Sequence, residues 1–325
     1  MKYLVTGAAG FIGFHVSKKL CEQGHQVVGI DNLNDYYDVS LKEARLANLQ
    51  KHTNFEFFKQ DITDLEQLLE LFKKENFDRV IHLAAQAGVR YSIDNPNAYI
   101  QSNLVGHFNI LESCRQFPVE HLLYASSSSV YGLNTKVPFS TDDKTDSQVS
   151  LYGATKKSNE LMSHSYSKLY GIPSTGLRFF TVYGPWGRPD MAPFKFTKKI
   201  LDGDSIDIYN NGDLSRDFTY IDDIVTGIIK IADKTPSSNN SESVPNRILN
   251  IGNGSPVNLL EFVETIERKL KLVADKNMLP MQDGDVFQTW ADTKELEELI
   301  NFKPQVNLAD GISAFVDWYR KFYNI

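Results

Sequence analysis

Tyr152 and Lys156 stand four residues apart in Tyr152-Gly153-Ala154-Thr155-Lys156, a spacing that puts both side chains on one face of a helix. A phenol, with an ordinary pKa of about 10, is a poor base at neutral pH. A neighbouring ammonium favours the phenolate and lowers that pKa. Taken alone, the pair is an ordinary surface feature of helices. Here it follows the run Ser126-Ser127-Ser128-Ser129-Val130-Tyr131-Gly132, which leaves an apolar strand segment. Four consecutive hydroxyls there put donors at the carboxyl edge of a sheet, where open α/β folds bind ligands. The combination reads as redox chemistry.

A second constellation supplies the cofactor. Gly7-Ala8-Ala9-Gly10-Phe11-Ile12-Gly13 lies between the first apolar run and the first stretch of helical period. Glycines at this spacing permit a tight turn and let the backbone approach a pyrophosphate at the helix amino end. Asp31, followed by Asn32, closes the second apolar run. A carboxylate there accepts hydrogen bonds from adenosine ribose hydroxyls and repels a 2′-phosphate. No arginine or lysine follows immediately to receive such a phosphate, so NAD is expected rather than NADP. Asp61-Ile62 and Leu83-Ala84-Ala85-Gln86-Ala87 end the third and fourth runs, where strand ends line a dinucleotide crevice.

The elements that must position these residues follow from periodicity. Apolar runs at 3–5, 27–30, 55–58, 80–83 and 122–125 read as buried strands. Between them lie helical periods such as Ile12, Val16 and Leu20, or Leu65, Leu68, Leu69 and Phe72. Gly24 is placed to end the first helix, and Asn95-Pro96 to open another. This alternation predicts an α/β protein: a Rossmann-like, doubly wound parallel sheet with a smaller α/β substrate-binding domain. A long helix is expected over about 152–170 and a strand over 174–180. The chain becomes rich in Pro and Gly near 184–190, which suggests a crossing into another layer. The stretch 235–246 reads as a polar loop, while Asn258 and Asn307 are placed to cap helices. The expected division is residues 1–180 for an NAD-binding domain, with chain returning around 217–250, and 181–325 mostly for substrate.

Composition narrows the classes. The 325 residues carry 34 basic and 41 acidic side chains, a formal charge of −7. That balance argues against a nucleic-acid partner, and an anionic ligand must rely on a local cluster of donors. Cys21 and Cys114 are too few for a disulfide framework or a cysteine metal site, and the seven histidines show no ligand spacing, so no metal is expected. No apolar run is long enough to span a membrane. With no signal-peptide pattern at the start, a cytoplasmic location is expected.

The glycine motif, Asp31, the Leu-Ala-Ala-Gln-Ala segment, the serine run and the Tyr152/Lys156 pair together resemble the extended short-chain dehydrogenase/reductase family. Over nearly its whole length the chain is similar to nucleotide-sugar 4-epimerases, and within them most similar to UDP-glucuronate 4-epimerases. That finer resemblance rests on Ala85-Gln86-Ala87-Gly88-Val89-Arg90-Tyr91-Ser92, on the segment from Arg178 to Met191, and on Arg216-Asp217-Phe218-Thr219-Tyr220-Ile221-Asp222-Asp223. It implies an isomerase of nucleotide-sugar metabolism that serves polysaccharide biosynthesis and keeps NAD bound. Tyr152 would be the base on the sugar 4-hydroxyl, Lys156 its activator, and Ser127 the hydroxyl beside the base. It also implies a homodimer formed by the helices over 96–117 and 152–170.

The substrate is read from departures within the family. Dehydratases place an Asp-Glu pair where Ser128 and Ser129 stand, and UDP-glucuronate decarboxylases usually have a glutamate at the second position. Galactose-type epimerases commonly carry an asparagine at the position of Thr181 and a lysine near Ala87. UDP-glucuronate is therefore expected as substrate; a neutral UDP-glucose/UDP-galactose-type epimerase and a UDP-glucuronate decarboxylase are the alternatives. Oxidising glucuronate at C4 gives a β-keto acid, so the carboxylate must be held out of alignment with the carbonyl. Ser127, Ser128 and Thr181, with Arg188 or Arg90 nearby, are the donors expected to hold it. Arg90 and Arg216 resemble diphosphate-binding arginines, the alternative being surface ion pairs. Asp285 resembles a nucleotide-ribose contact or is a turn carboxylate, and Arg178 reads as structural.

Overall fold

The structure is a computed structural model that describes residues 1–237, 243–282 and 286–325. Asp285 and part of the polar stretch 235–246 therefore lie outside the described residues. The first half runs β1 (Lys2–Thr6), α1 (Phe11–Glu22), β2 (Gln26–Asp31), α2 (Val39–Leu49), β3 (Phe55–Lys59), α3 (Leu65–Glu75) and β4 (Arg79–His82). Two short helices follow, α4 (Tyr91–Asp94) and α5 (Pro96–Tyr99), then a π-helical segment (Ile100–Val105), α6 (Gly106–Gln116), β5 (His121–Ser127), α7 (Leu151–Tyr170) and β6 (Ser174–Phe179).

Alternate residues of each strand face opposite layers, which is why the sheet is apolar throughout. Tyr3 and Val5 of β1 join Val27, Ile81 and Leu123 in a core shared with Phe11, Val16 and Leu20 of α1. Leu4 instead joins Val28, Ile30, Val80 and Leu122 under Leu68, Phe72, Ile110 and Leu111. Helix α7 starts where the Ser150 hydroxyl accepts the Gly153 amide at 3.0 Å, and it ends at Gly171, whose φ is +69°. That start sets the register of Tyr152 and Lys156.

The expected single helix over 96–117 is interrupted. Between α5 and α6 the chain widens into the π-helical segment, where Asn103 turns its amide onto the Gln86 backbone and the Thr155 hydroxyl. One strong side-chain network outweighs the regular backbone ladder there.

Beyond β6 the chain adds β7 (Thr181–Tyr183), α8 (Ala192–Asp202), β8 (Ile206–Ile208), β9 (Ser215–Arg216), β10 (Phe218–Tyr220) and α9 (Ile221–Ala232). It then forms β11 (Asn246–Ile251), β12 (Val257–Asn258), α10 (Leu259–Leu270), β13 (Lys276–Met278), α11 (Lys294–Ile300) and α12 (Leu308–Tyr323). The central sheet has seven parallel strands in the order β11-β6-β5-β4-β1-β2-β3. Its seventh strand comes from past residue 245, and α9 packs on α1, so chain from the second half returns to the first. The remainder is built from small pairs, β7 with β10, β8 with β13 and β9 with β12. Phe218 stacks on Phe262 at 4.1 Å to join two of these layers. Asn258 and Asn307 cap α10 and α12 by accepting the Leu260 and Asp310 amides. Among the described residues no helix is long and apolar enough to cross a membrane, and no three His, Cys, Asp or Glu gather as a metal site.

Candidate active site

The carboxyl ends of β1, β2, β4 and β5 open onto a cavity of about 940 Å³. One end of it is built of backbone. Gly7 has a φ of +71°, and a Cβ on Gly13 would lie 2.0 Å from the Gly7 carbonyl oxygen. Only glycines let this turn close on itself. α1 begins at Gly10 with no side-chain cap, so its first amides remain available to an anion. Asp31 stands beside this turn: Oδ2 accepts the Ala9 amide at 3.2 Å and Oδ1 the Leu33 amide at 2.9 Å. Asp61 is held by Asn32 and by the Thr63 amide and hydroxyl. Burial pushes the Asp61 carboxyl up, but those hydrogen bonds outweigh it and hold the group below its ordinary value. Phe11, Ile12, Asn32, Ile62, Leu83, Ala84 and Ala85 line the same end. The bare helix end would receive a pyrophosphate and Asp31 a ribose, so the residues present fit NAD.

The middle of the cavity holds Ser127, Tyr152 and Lys156 together. The Lys156 ammonium is buried and donates to the Ala125 carbonyl at 2.9 Å. Burial draws its pKa down to about 8. Beneath it, the Thr6 hydroxyl accepts the Leu83 and Ala84 amides and is therefore the donor to His82 Nδ1, at 2.8 Å. His82 is neutral: burial, then the charge of Lys156, bring it to about 3.

Tyr152 departs from the simple expectation of activation by the lysine four residues on. Burial raises its phenol, and what opposes that rise is a hydrogen bond with Ser127 and the charge of Arg188. The lysine points instead to Ala125, because the strand carbonyl lies within reach of its extended stem.

The serine run divides by role. Ser126 turns inward to Glu160 at 2.7 Å, which is paired with Arg178 at 2.8 and 2.9 Å. Arg178 is thus structural. Ser127 caps a short turn by accepting the Ser129 amide at 3.1 Å, and Ser127, Ser128 and Ser129 all line the cavity. Thr181, Arg188, Arg90 and Arg216 line its far end. Arg188 is paired with Asp190, its Nε donating at 2.9 Å. Burial alone would lower this guanidinium, but Asp190 more than offsets it. Arg90 lies over the Tyr209 ring at 5.1 Å, and Arg216 donates to the Ser215 carbonyl at 3.0 Å.

Several lining residues were not singled out from the sequence. Tyr36 reaches across from the β2–α2 connection to Asp190 at 3.3 Å, and Lys42 donates to the Asn34 carbonyl at 2.7 Å. Lys195 and Lys199 add two cations on α8. Their spacing on one helix face was a legible signal; Tyr36 and Asp190 carried none, because only the tertiary fold brings them together.

A classical Rossmann sheet whose glycine turn shares one cavity with a serine, a tyrosine and a lysine defines a nucleotide-dependent redox site on a hydroxyl-bearing substrate. The pattern of the NAD dependent epimerase/dehydratase family matches residues 3–252, and the chain belongs to that family. A Staphylococcus aureus protein named CapI is 55% identical, over 99% of each chain. A probable UDP-glucuronate 4-epimerase from Rhizobium meliloti is 50% identical, over 99% of this chain and 98% of that one. The crystal structure of UDP-glucuronic acid 4-epimerase from Bacillus cereus, in complex with UDP-glucuronic acid and NAD, is 35% identical. It covers 99% of this chain and 100% of that one, with a TM-score of 0.91.

Proposed function

We propose that the chain is an NAD-dependent isomerase that interconverts UDP-glucuronate and UDP-galacturonate through a 4-keto sugar. The observation that carries this reading is the set of hydroxyls, Ser127, Ser128 and Thr181, facing the cavity beside Tyr152. NAD, its pyrophosphate held at the glycine turn, would supply reversible hydride transfer with the sugar C4. Tyr152 takes the 4-hydroxyl proton and gives it back, with Ser127 as its hydrogen-bond partner. Lys156 keeps a positive charge in the middle of the cavity below a pH of about 8. Ser128 and Thr181 hold the C5 carboxylate out of line with the C4 carbonyl, so the β-keto acid keeps its carbon dioxide while the sugar turns. Arg188 meets the sugar beside Tyr152, Arg216 and Arg90 receive the negative charge of the substrate at the end away from the cofactor, and Asp285 is read as a nucleotide contact. No side-chain acid stands at Ser128 or Ser129 to drive elimination of water.

The same reading makes the protein a homodimer. Ile100, Phe108, Leu161 and Leu169 are exposed on the π-helical segment, α6 and α7, an apolar face that a second copy of those helices would cover. Light scattering is expected to give twice the chain mass, and Leu161→Lys with Phe108→Lys a monomer. A monomeric parent refutes the dimer. Cys21 and Cys114 are free and buried, which suits a reducing, cytoplasmic compartment.

The test of function is incubation with UDP-glucuronate, UDP-glucose or UDP-N-acetylglucosamine separately, the products being resolved by NMR. UDP-galacturonate from the first is expected; turnover of a neutral sugar alone overturns the substrate assignment.

A further inference from the structure

Arg45 on α2 is completely buried, yet its guanidinium meets neutral partners. One nitrogen donates to the Ala9 carbonyl at 2.9 Å and the Tyr37 hydroxyl at 2.7 Å. The other donates to the Trp186 carbonyl at 2.6 Å and the Gly187 carbonyl at 3.3 Å. Burying a charge among neutral groups is costly, and burial lowers the pKa of this arginine. A planar fork repays that cost by reaching segments that no single donor spans.

The segments it joins are the two halves of the site. Ala9 belongs to the glycine turn. Trp186 and Gly187 belong to the turn that delivers Arg188 to the cavity. At its centre Trp186 sits at a φ of +63°, a region costly for a bulky side chain, and the Gly187 amide donates to the Gly184 carbonyl at 3.1 Å. The consecutive carbonyls that follow are held from outside, Pro185 by His15 of α1 at 2.9 Å and the next two by Arg45.

We propose that Arg45 is a positioning residue for the sugar site: it fixes the 184–187 turn against the glycine turn and so sets where Arg188 stands beside Tyr152. This rests on the UDP-sugar reading, in which Arg188 contacts substrate. Lysine keeps the charge but not the fork, so Arg45→Lys retains a folded protein while releasing part of the turn.

Arg45→Lys, Arg188→Ala and the double variant are compared for KM and kcat with UDP-glucuronate, for bound NAD and for the folded circular-dichroism spectrum. Arg45→Lys is expected to raise KM about tenfold, the worth of one charge-assisted hydrogen bond, with NAD content kept. In the Arg188→Ala background the same change is expected to shift KM by less than about twofold. An equal rise with or without Arg188 overturns the proposal, since a purely structural role would be additive. Turnover by the parent is measured first, and its absence refutes the function and not the positioning. In that event amide exchange decides. The Gly187 and Met191 amides, bonded to Gly184 and Arg188, are expected to exchange about tenfold faster in Arg45→Lys. Unchanged exchange overturns the proposal.

Discussion

Lys156→Met removes a charge that the catalytic reading needs and the fold resists. Burial takes the amine from an ordinary 10.5 to about 8, a fall that corresponds to about 3 kcal/mol against burying the protonated form. At pH 7 the amine is protonated in both folded and unfolded chains, so the whole penalty is present. Between about 8 and 10.5 the unfolded chain binds more protons than the folded one, and the stability of the parent therefore rises with pH across that window. Methionine keeps the apolar stem and abolishes the penalty. It also leaves the Ala125 carbonyl without its 2.9 Å donor, a loss of about 1 kcal/mol. The variant is thus expected to be more stable than the parent by about 2 kcal/mol at pH 7, or about 3 °C in Tm. This advantage shrinks above pH 8 and disappears toward 10.5. Turnover of UDP-glucuronate is expected to fall at least about a hundredfold, the usual scale of an assisted proton transfer. Calorimetry over pH 6 to 10, at NAD occupancies matched by the nucleotide released on denaturation, reads the stability. A variant less stable than the parent at pH 7, or an advantage constant with pH, would refute the reasoning.

Gly13→Ala is expected to empty the cofactor cradle. Its Cβ would stand 2.0 Å from the Gly7 oxygen, so the turn must shift by about an ångström, enough to cost on the order of a hundredfold; NAD retained through purification at the level of the parent would contradict this. Ser128→Ala and Thr181→Ala should release carbon dioxide and a UDP-pentose from UDP-glucuronate. Each removes a hydrogen bond to a charged group worth about 1.5–3 kcal/mol, and no rise in the pentose by NMR would sink the carboxylate assignment. Glu160→Gln leaves Arg178, 3% exposed beside it, with its charge unpaired, and a loss of about 3–5 kcal/mol is expected by urea titration. A loss below about 1 kcal/mol would show the pair to be idle.

The cofactor half was legible because it is made of backbone and periodicity. Strand runs, glycine spacing and Asp31 are local signals, and each element that carries them begins and ends within a residue or two of its expected place. The break in the helix over 96–117 is not legible, because the sequence does not reveal that Asn103 spends its amide on Gln86 and Thr155. The spacing of Tyr152 and Lys156 fixes a shared helix face but not the direction of a long stem. That Lys156 turns to Ala125 while Arg188 provides the charge acting on Tyr152 depends on β5 and on the turn after β7. Such contacts cross many residues of chain and leave no local mark.

The formal charge of −7 sharpens how the sugar end must work. A doubly charged diphosphate and a carboxylate enter against the field of the whole molecule, yet the nearest guanidinium, Arg188, is already shared with Asp190. Sharing makes Arg188 directional and weakens the field it casts on the sugar. For a β-keto acid that is an advantage: an unpaired cation beside the C4 oxygen would stabilise the enolate formed when carbon dioxide leaves, and so favour the wrong product. Neutral hydroxyls at Ser128 and Thr181 can hold a carboxylate without offering that stabilisation. The attraction needed for binding then falls to Arg216 and Arg90, which lie where the charge of the substrate does not change during the reaction.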